Sequence, residues 1–162
     1  GLKTIILDGA HNPDKIKWLT HKLENTIKSG VLNPNLKTKP VFYTNQHEKE
    51  HEITQKRKIW LIFAVSENKN WRKMLKIILP LIDRIFITRH LVALRKSVEP
   101  KKMFDYIKKH QPPVSPQIFL DPADALRSAL NESGKDDLIV ITGSLFLAGY
   151  LRKILGKKYC VI

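Results

Sequence analysis

Ile5-Ile6-Leu7-Asp8-Gly9-Ala10-His11-Asn12-Pro13 joins an apolar, strand-like run to the start of a helix and delivers an acid and a histidine to the joint. Lys3 to Leu7 read as a short buried strand. Asn12 is a good N-cap, and Pro13 suits the first helical position, where its missing N–H costs nothing. Asp8 and His11 therefore stand at the carboxyl end of a strand in an α/β pattern, the end at which such sheets bind ligands.

Strand and helix signals alternate along the rest of the chain and predict an α/β, Rossmann-like fold: a mostly parallel sheet of about five or six strands with helices on both faces. A first helix is expected from Pro13 to about Lys28, with Leu19, Leu23 and Ile27 on its buried face and Gly30 as its end. Ile59 to Val65 form a strand, followed by a helix from Trp71 to Leu79 that Pro80 closes. Next come a strand at Ile85 to Thr88, a helix at Pro100 to His110, a strand at Gln117 to Leu120 and a helix from Asp121-Pro122 through Leu130. Leu138 to Thr142 and the helix after Ser144 complete the pattern, with Tyr159 to Ile162 a candidate extra edge strand.

A chain of 162 residues, 43% hydrophobic and 27% charged, buries the core of one domain spanning 1–162. No apolar run approaches the ~18 to 20 residues of a membrane span, and no signal peptide opens the chain, so a soluble protein without a membrane partner is expected. The lone Cys160 excludes an internal disulfide framework and suits a reducing cytoplasm, and its plain reading is a small apolar side chain near the end of the chain. Lys and Arg number 29 against 15 Asp and Glu, a net charge of +14 that favours polyanions in general. The cations are spread over Lys56-Arg57-Lys58, Lys101-Lys102, Lys108-Lys109 and Lys157-Lys158 without a nucleic-acid module. They read first as a solvated surface and second as an attraction for anionic substrates, with no specific nucleic-acid partner.

Residues 31–57 stand apart as a long polar insertion, in which Pro40-Val41-Phe42-Tyr43 could form a short strand. A connection of this length is expected to be functional or mobile. It contains His47-Glu48-Lys49-Glu50-His51, which fits the pattern of zinc hydrolases, two histidines on one helical face with a glutamate as base. The surroundings oppose that reading: Asn45 to Lys58 hold only Ile53 as an aliphatic anchor, and no glycine-linked third histidine follows downstream. A solvated charged segment is expected there, and no metal site.

Asp8-Gly9-Ala10-His11-Asn12-Pro13 resembles the signature that opens the C-terminal domain of folylpolyglutamate synthases, relatives of the Mur ligases. Asp137-Leu138-Ile139-Val140-Ile141-Thr142-Gly143-Ser144-Leu145-Phe146-Leu147-Ala148-Gly149 looks like that family's last buried strand, turn and helix. Between them, Ser66-Glu67-Asn68-Lys69-Asn70 stands where the family has an Asp-Lys-Asp turn and keeps only the lysine, and Ala93-Leu94-Arg95-Lys96 replaces a Pro-Arg-Ala element. The resemblance covers essentially the whole chain.

It implies a Mur ligase C-terminal domain within an ATP-dependent ligase that adds L-glutamate to a folate, activating a carboxylate as an acyl phosphate for attack by the amine. By resemblance, Asp8 contacts the ATP ribose, His11 the nucleotide or its phosphates, and Asn12 is a cap before it is a ligand. Lys69, Ser144 and Arg95 are implied to hold the incoming amino acid, whose carboxylates suit cations and a helix N-terminus. Each has a plainer reading, His11 as a donor within its own loop, Lys69 as a solvated turn residue and Ser144 as an N-cap. A Gly-x-x-x-x-Gly-Lys-Ser/Thr loop and a magnesium-binding acid cluster are missing from this sequence, and the resemblance assigns them to a larger N-terminal ATPase domain as partner. On this reading no catalytic residue lies in this chain alone, the cofactors are ATP and magnesium, and the enzyme is a cytoplasmic monomer. The alternative is a binding or regulatory module that keeps the fold without the chemistry. The acceptor, folate or dihydrofolate, stays open.

Overall fold

The computed structural model describes residues 3–29, 57–110, 114–156 and 160–161. In chain order the elements are β1 (Thr4–Leu7), α1 (Pro13–Ser29), β2 (Ile59–Phe63), α2 (Trp71–Ile78), a single 3-10 turn (Leu79–Leu81), β3 (Arg84–Ile87), α3 (Pro100–His110), β4 (Ser115–Ile118), α4 (Pro122–Glu132), β5 (Leu138–Thr142), α5 (Leu145–Leu155) and β6 (Cys160–Val161). The strands form one sheet in the order β4-β3-β2-β5-β1-β6, and every pairing is parallel.

Because successive side chains on a strand point to opposite faces, the two central strands, buried throughout, feed two cores. Ile59, Leu61 and Phe63 of β2 with Leu138 and Val140 of β5 pack under α1, α2 and α3, around Leu19, Leu75 and Met103. Trp60 and Ile62 of β2 with Ile139 and Ile141 of β5 face α4 and α5, around Leu126 and Leu151. The split follows from crossover handedness: the chain runs from β1 through β4 toward one sheet edge, then returns through β5 to β6 toward the other.

At the amino end of the sheet, the Asp137 carboxylate accepts from the Gly134 N–H at 2.7 Å, the Lys58 N–H at 3.0 Å and the Trp60 indole N–H at 2.9 Å. Burial works against the charge of Asp137, but these donors and the Lys58 cation outweigh it and hold the carboxyl below its ordinary range. This clasp fixes where β2 and β5 begin, and so the level at which both strands end.

Three expectations need correction. Ile27 is 43% exposed and does not share the buried stripe of Ile16, Leu19 and Leu23; a spacing of four residues turns by about 40° more than a full helical revolution, so repeated fours leave the stripe. The fourth strand is Ser115–Ile118 instead of Gln117 to Leu120, with Pro116 opposite Ile85; an edge strand accommodates a proline that lacks a ladder donor. Pro80 does not stop the chain turning at Leu79 but sits inside the 3-10 turn that prolongs α2. The insertion at 31–57 with its strand at Pro40 to Tyr43 and its His47-Glu48 and His51 motif, the stop at Gly30, and Tyr159 and Ile162 lie outside the described residues, Arg57 apart. Among the described residues no helix is long and apolar enough to cross a membrane.

Candidate functional site

The connections that leave β1 and β2 go to helices on one face, whereas the connection that leaves β5 goes to a helix on the other. β5 lies between β1 and β2, so a crevice opens at its carboxyl end, the place where open parallel sheets bind ligands.

Local chemistry sets each loop. After β1, the Asp8 N–H donates to the Ile141 carbonyl at 3.0 Å and carries the sheet ladder one residue further. Asp8 Oδ1 then accepts from the Ala10 N–H at 2.6 Å, turning the chain. Nδ1 of His11 donates to the Gly9 carbonyl at 2.8 Å, since a carbonyl can only accept. Asn12 Oδ1 accepts from the Lys15 N–H at 2.9 Å, so the cap expected at Asn12 is present and that oxygen is engaged.

After β5 the backbone passes through Gly143 at φ 98, a conformation that favours glycine, and its N–H donates to the Ala10 carbonyl at 3.0 Å. Ser144, 3% exposed, caps α5 by accepting from the Phe146 N–H at 3.2 Å. After β2 the Lys69 N–H closes a turn on the Ser66 carbonyl, and Asn70 caps α2 by accepting from the Lys73 N–H at 3.3 Å. Asn70 thus has a structural role of its own. The loop after β3 is laced to the loop after β2: Val98 N–H to Val65 O at 2.8 Å, Glu67 N–H to Lys96 O at 3.0 Å and Ser97 Oγ to Val65 O at 3.2 Å.

His11, Lys69, Arg95 and Ser144 are brought together and line one cleft of about 110 Å³ with Ser66, Gly143, Leu145 and Phe146. Asp8 and Asn12 flank it on the β1 loop and do not line it. A wider groove of about 350 Å³ adjoins through Ser66 and Arg95, bordered by Glu67, Asn68, Leu94 and Lys96. Neither Lys69 nor Arg95 makes an ion pair among the described residues; the Arg95 guanidinium lies 5.5 Å from the centre of the Phe146 ring. Two cations, the N-terminus of an eleven-residue helix and a glycine-lined floor make a cleft for a small anion.

Sequence reasoning assigned no role to Ser66 or His90. Ser66 Oγ and His90 Nε2 lie 3.0 Å apart, and His90, 5% exposed, sits with its ring 5.5 Å from that of Phe146. Burial depresses the basicity of His90, its own main-chain carbonyl offsets part of this, and Arg95 pushes it down again. No spacing in the sequence announces the pair, because its partners come from loops after different strands.

Among the described residues no group of three or more His, Cys, Asp or Glu could hold a metal ion.

Residues 47–145 match the family model described as Mur ligase, glutamate ligase domain. No curated protein sequence matches the chain. Among solved structures, E. coli FolC in complex with DHPP and ADP is 14% identical with a TM-score of 0.65, over 93% of this chain and 28% of that one. A bifunctional folylpolyglutamate synthase/dihydrofolate synthase with Mn, AMPPNP and L-glutamate bound is 18% identical with a TM-score of 0.66, over 93% and 28%. Mycobacterium tuberculosis folylpolyglutamate synthase complexed with ADP and AMPPCP is 19% identical with a TM-score of 0.62, over 94% and 30%. At these identities the likeness is one of fold, and the chain spans less than a third of each of those proteins.

Proposed function

We propose, from the premise that this chain belongs to the Mur ligase glutamate ligase domain family, that it is the C-terminal domain of an ATP-dependent ligase joining glutamate to a folate. The observation that carries the reading is the convergence of His11, Lys69, Arg95 and Ser144 on one anion-sized cleft at the carboxyl end of β5. Structures of similar fold were solved with adenine nucleotides, and one with L-glutamate as well.

In this reading the cleft receives the amino acid. Lys69 and Arg95 meet its carboxylates, and the positive end of the α5 dipole completes the anion site. Asp8 fits a nucleotide ribose: one carboxylate oxygen is committed to the Ala10 N–H, and the other is left to accept from vicinal hydroxyls. His11, with Nδ1 anchored on Gly9, would face the phosphate end. ATP supplies the phosphoryl group that activates the acceptor carboxylate. Its triphosphate and magnesium belong to a P-loop domain outside this chain, whose closure over the β5 crevice completes the site.

Isothermal titration of the chain with Mg-ATP tests the division of labour: weak binding is expected, and micromolar or tighter affinity would show that the principal phosphate site lies here. In the chain joined to its P-loop domain, Asp8→Ala should lower ligation efficiency by about tenfold to a thousandfold, from the loss of one or two charge-assisted hydrogen bonds. Normal kinetics for ATP and glutamate in that variant would sink the nucleotide assignment. Retained binding with no ligation under any acceptor would favour a non-catalytic module.

A further inference from the structure

An amino acid brings an ammonium group as well as carboxylates, and the cations that suit the carboxylates repel the ammonium. The amine needs acceptors, and few are left around the cleft. The carbonyls of Ala10, Val65, Ser66 and Lys96 are engaged by the N–H groups of Gly143, Val98, Lys69 and Glu67. Glu67 borders the wider groove and not the smaller cleft. Three side-chain acceptors remain among the described residues: Nε2 of His11, unprotonated in the neutral ring because Nδ1 donates to Gly9; Oγ of Ser144, which already accepts from the Phe146 N–H; and Oγ of Ser66.

Ser66 differs from His11 in being aimed by a buried partner. Nδ1 of His90 is buried and has no hydrogen-bond partner among the described residues, whereas Nε2 lies at hydrogen-bond distance from Ser66 Oγ. In the tautomer with the proton on Nδ1, Nε2 is a lone pair and the Ser66 hydroxyl donates to it across 3.0 Å. With its hydrogen so committed, Ser66 Oγ presents only lone pairs to the cleft that it lines. We propose that Ser66 is the acceptor that recognises the amino group of the amino acid entering the cleft, and that His90 is the positioning residue that fixes its hydroxyl. The inference rests on the amino-acid reading of the cleft given above.

The test is an NMR titration of the 162-residue chain with L-glutamate and with glutarate, which has the same two carboxylates and no amine. L-glutamate should bind about tenfold or more tightly than glutarate, the worth of a hydrogen bond to a charged group. Ser66→Ala and His90→Ala should abolish that preference while leaving glutarate binding unchanged, and His90→Asn should restore part of it through its amide oxygen. Nitrogen-15 spectra should show His90 Nε2 unprotonated. A preference that survives Ser66→Ala, equal losses for both ligands, or a proton on Nε2 would overturn the assignment while leaving the amino-acid cleft standing. Failure of both ligands to bind the unaltered chain would overturn the cleft reading and this inference together.

Discussion

The Gly143 N–H donates to the Ala10 carbonyl at 3.0 Å and ties the turn after β5 to the turn after β1. The two motifs, more than a hundred residues apart in sequence, are thereby one structural unit at the mouth of the cleft. The bond requires the Gly143 backbone in its left-handed conformation, and nothing but glycine fits: an added Cβ would stand 2.4 Å from the Ala64 carbonyl oxygen and 2.7 Å from the Phe63 ring.

Gly143→Ala should therefore destabilise the fold by about 2 to 4 kcal/mol, combining strain at positive φ with a backbone clash. Gly9→Ala is the control. Its Cβ would meet Leu145 Cδ2 at 2.1 Å, the end of an exposed side chain that can rotate away, so the loss should stay below about 1 kcal/mol. Urea unfolding of both variants decides, and equal losses would refute the contrast.

Asp137→Ala removes the acceptor shared by Gly134, Lys58 and Trp60 and should cost about 2 to 4 kcal/mol. Because the folded carboxyl titrates below its ordinary 3.8, its contribution is present above that value and disappears as pH falls through the folded one. Denaturation midpoints measured across acid pH should show a slope in the parent protein that Asp137→Ala flattens.

His90 also lies beside a cation, Arg95, and its pH linkage has the same sign. Its folded imidazole titrates below the ordinary 6.5, so the unfolded chain binds the extra proton first. Stability should be full above 6.5 and decline as pH drops from there toward the folded value. Arg95 opposes protonation by charge, while Ser66 and Phe146 touch the ring without charge. His90→Gln should lose this decline, and an unchanged pH dependence would show that the ring is not desolvated.

Lys69→Ala should weaken L-glutamate and glutarate alike, by about threefold to tenfold for one partly screened charge contact. Melting temperature should stay put, since the side chain makes no ion pair among the described residues. A loss confined to L-glutamate would move Lys69 from the carboxylates to another role.

The β1–α1 and β5–α5 joints could be read from the sequence because their signals are local: an apolar run, a cap, a proline or glycine at the turn. His11, Lys69, Arg95 and Ser144 were each named from their own neighbourhoods, and the sheet order then set them around one cleft. Ser66 and His90 escaped because their bond joins loops after β2 and β3, and neither loop alone marks a histidine as buried. β4 was misplaced for a similar reason. Ile118-Phe119-Leu120 is the more apolar stretch, but position at the sheet edge, a property of the whole fold, lets Pro116 join the strand and leaves Leu120 61% exposed.

Among the described residues β1 pairs with β5 and β6, and β2 with β3 and β5. On a ribosome β5, one of the two central strands, is thus made after β1, β2, β3 and β4, and β1 meets neither of its partners among the described residues until residues 138–142 emerge. Until then Ile5 lacks the neighbouring strands that help to bury it in the folded domain. Such long-range closure is slow. The strand that organises the cleft is also the step on which assembly of the whole domain waits.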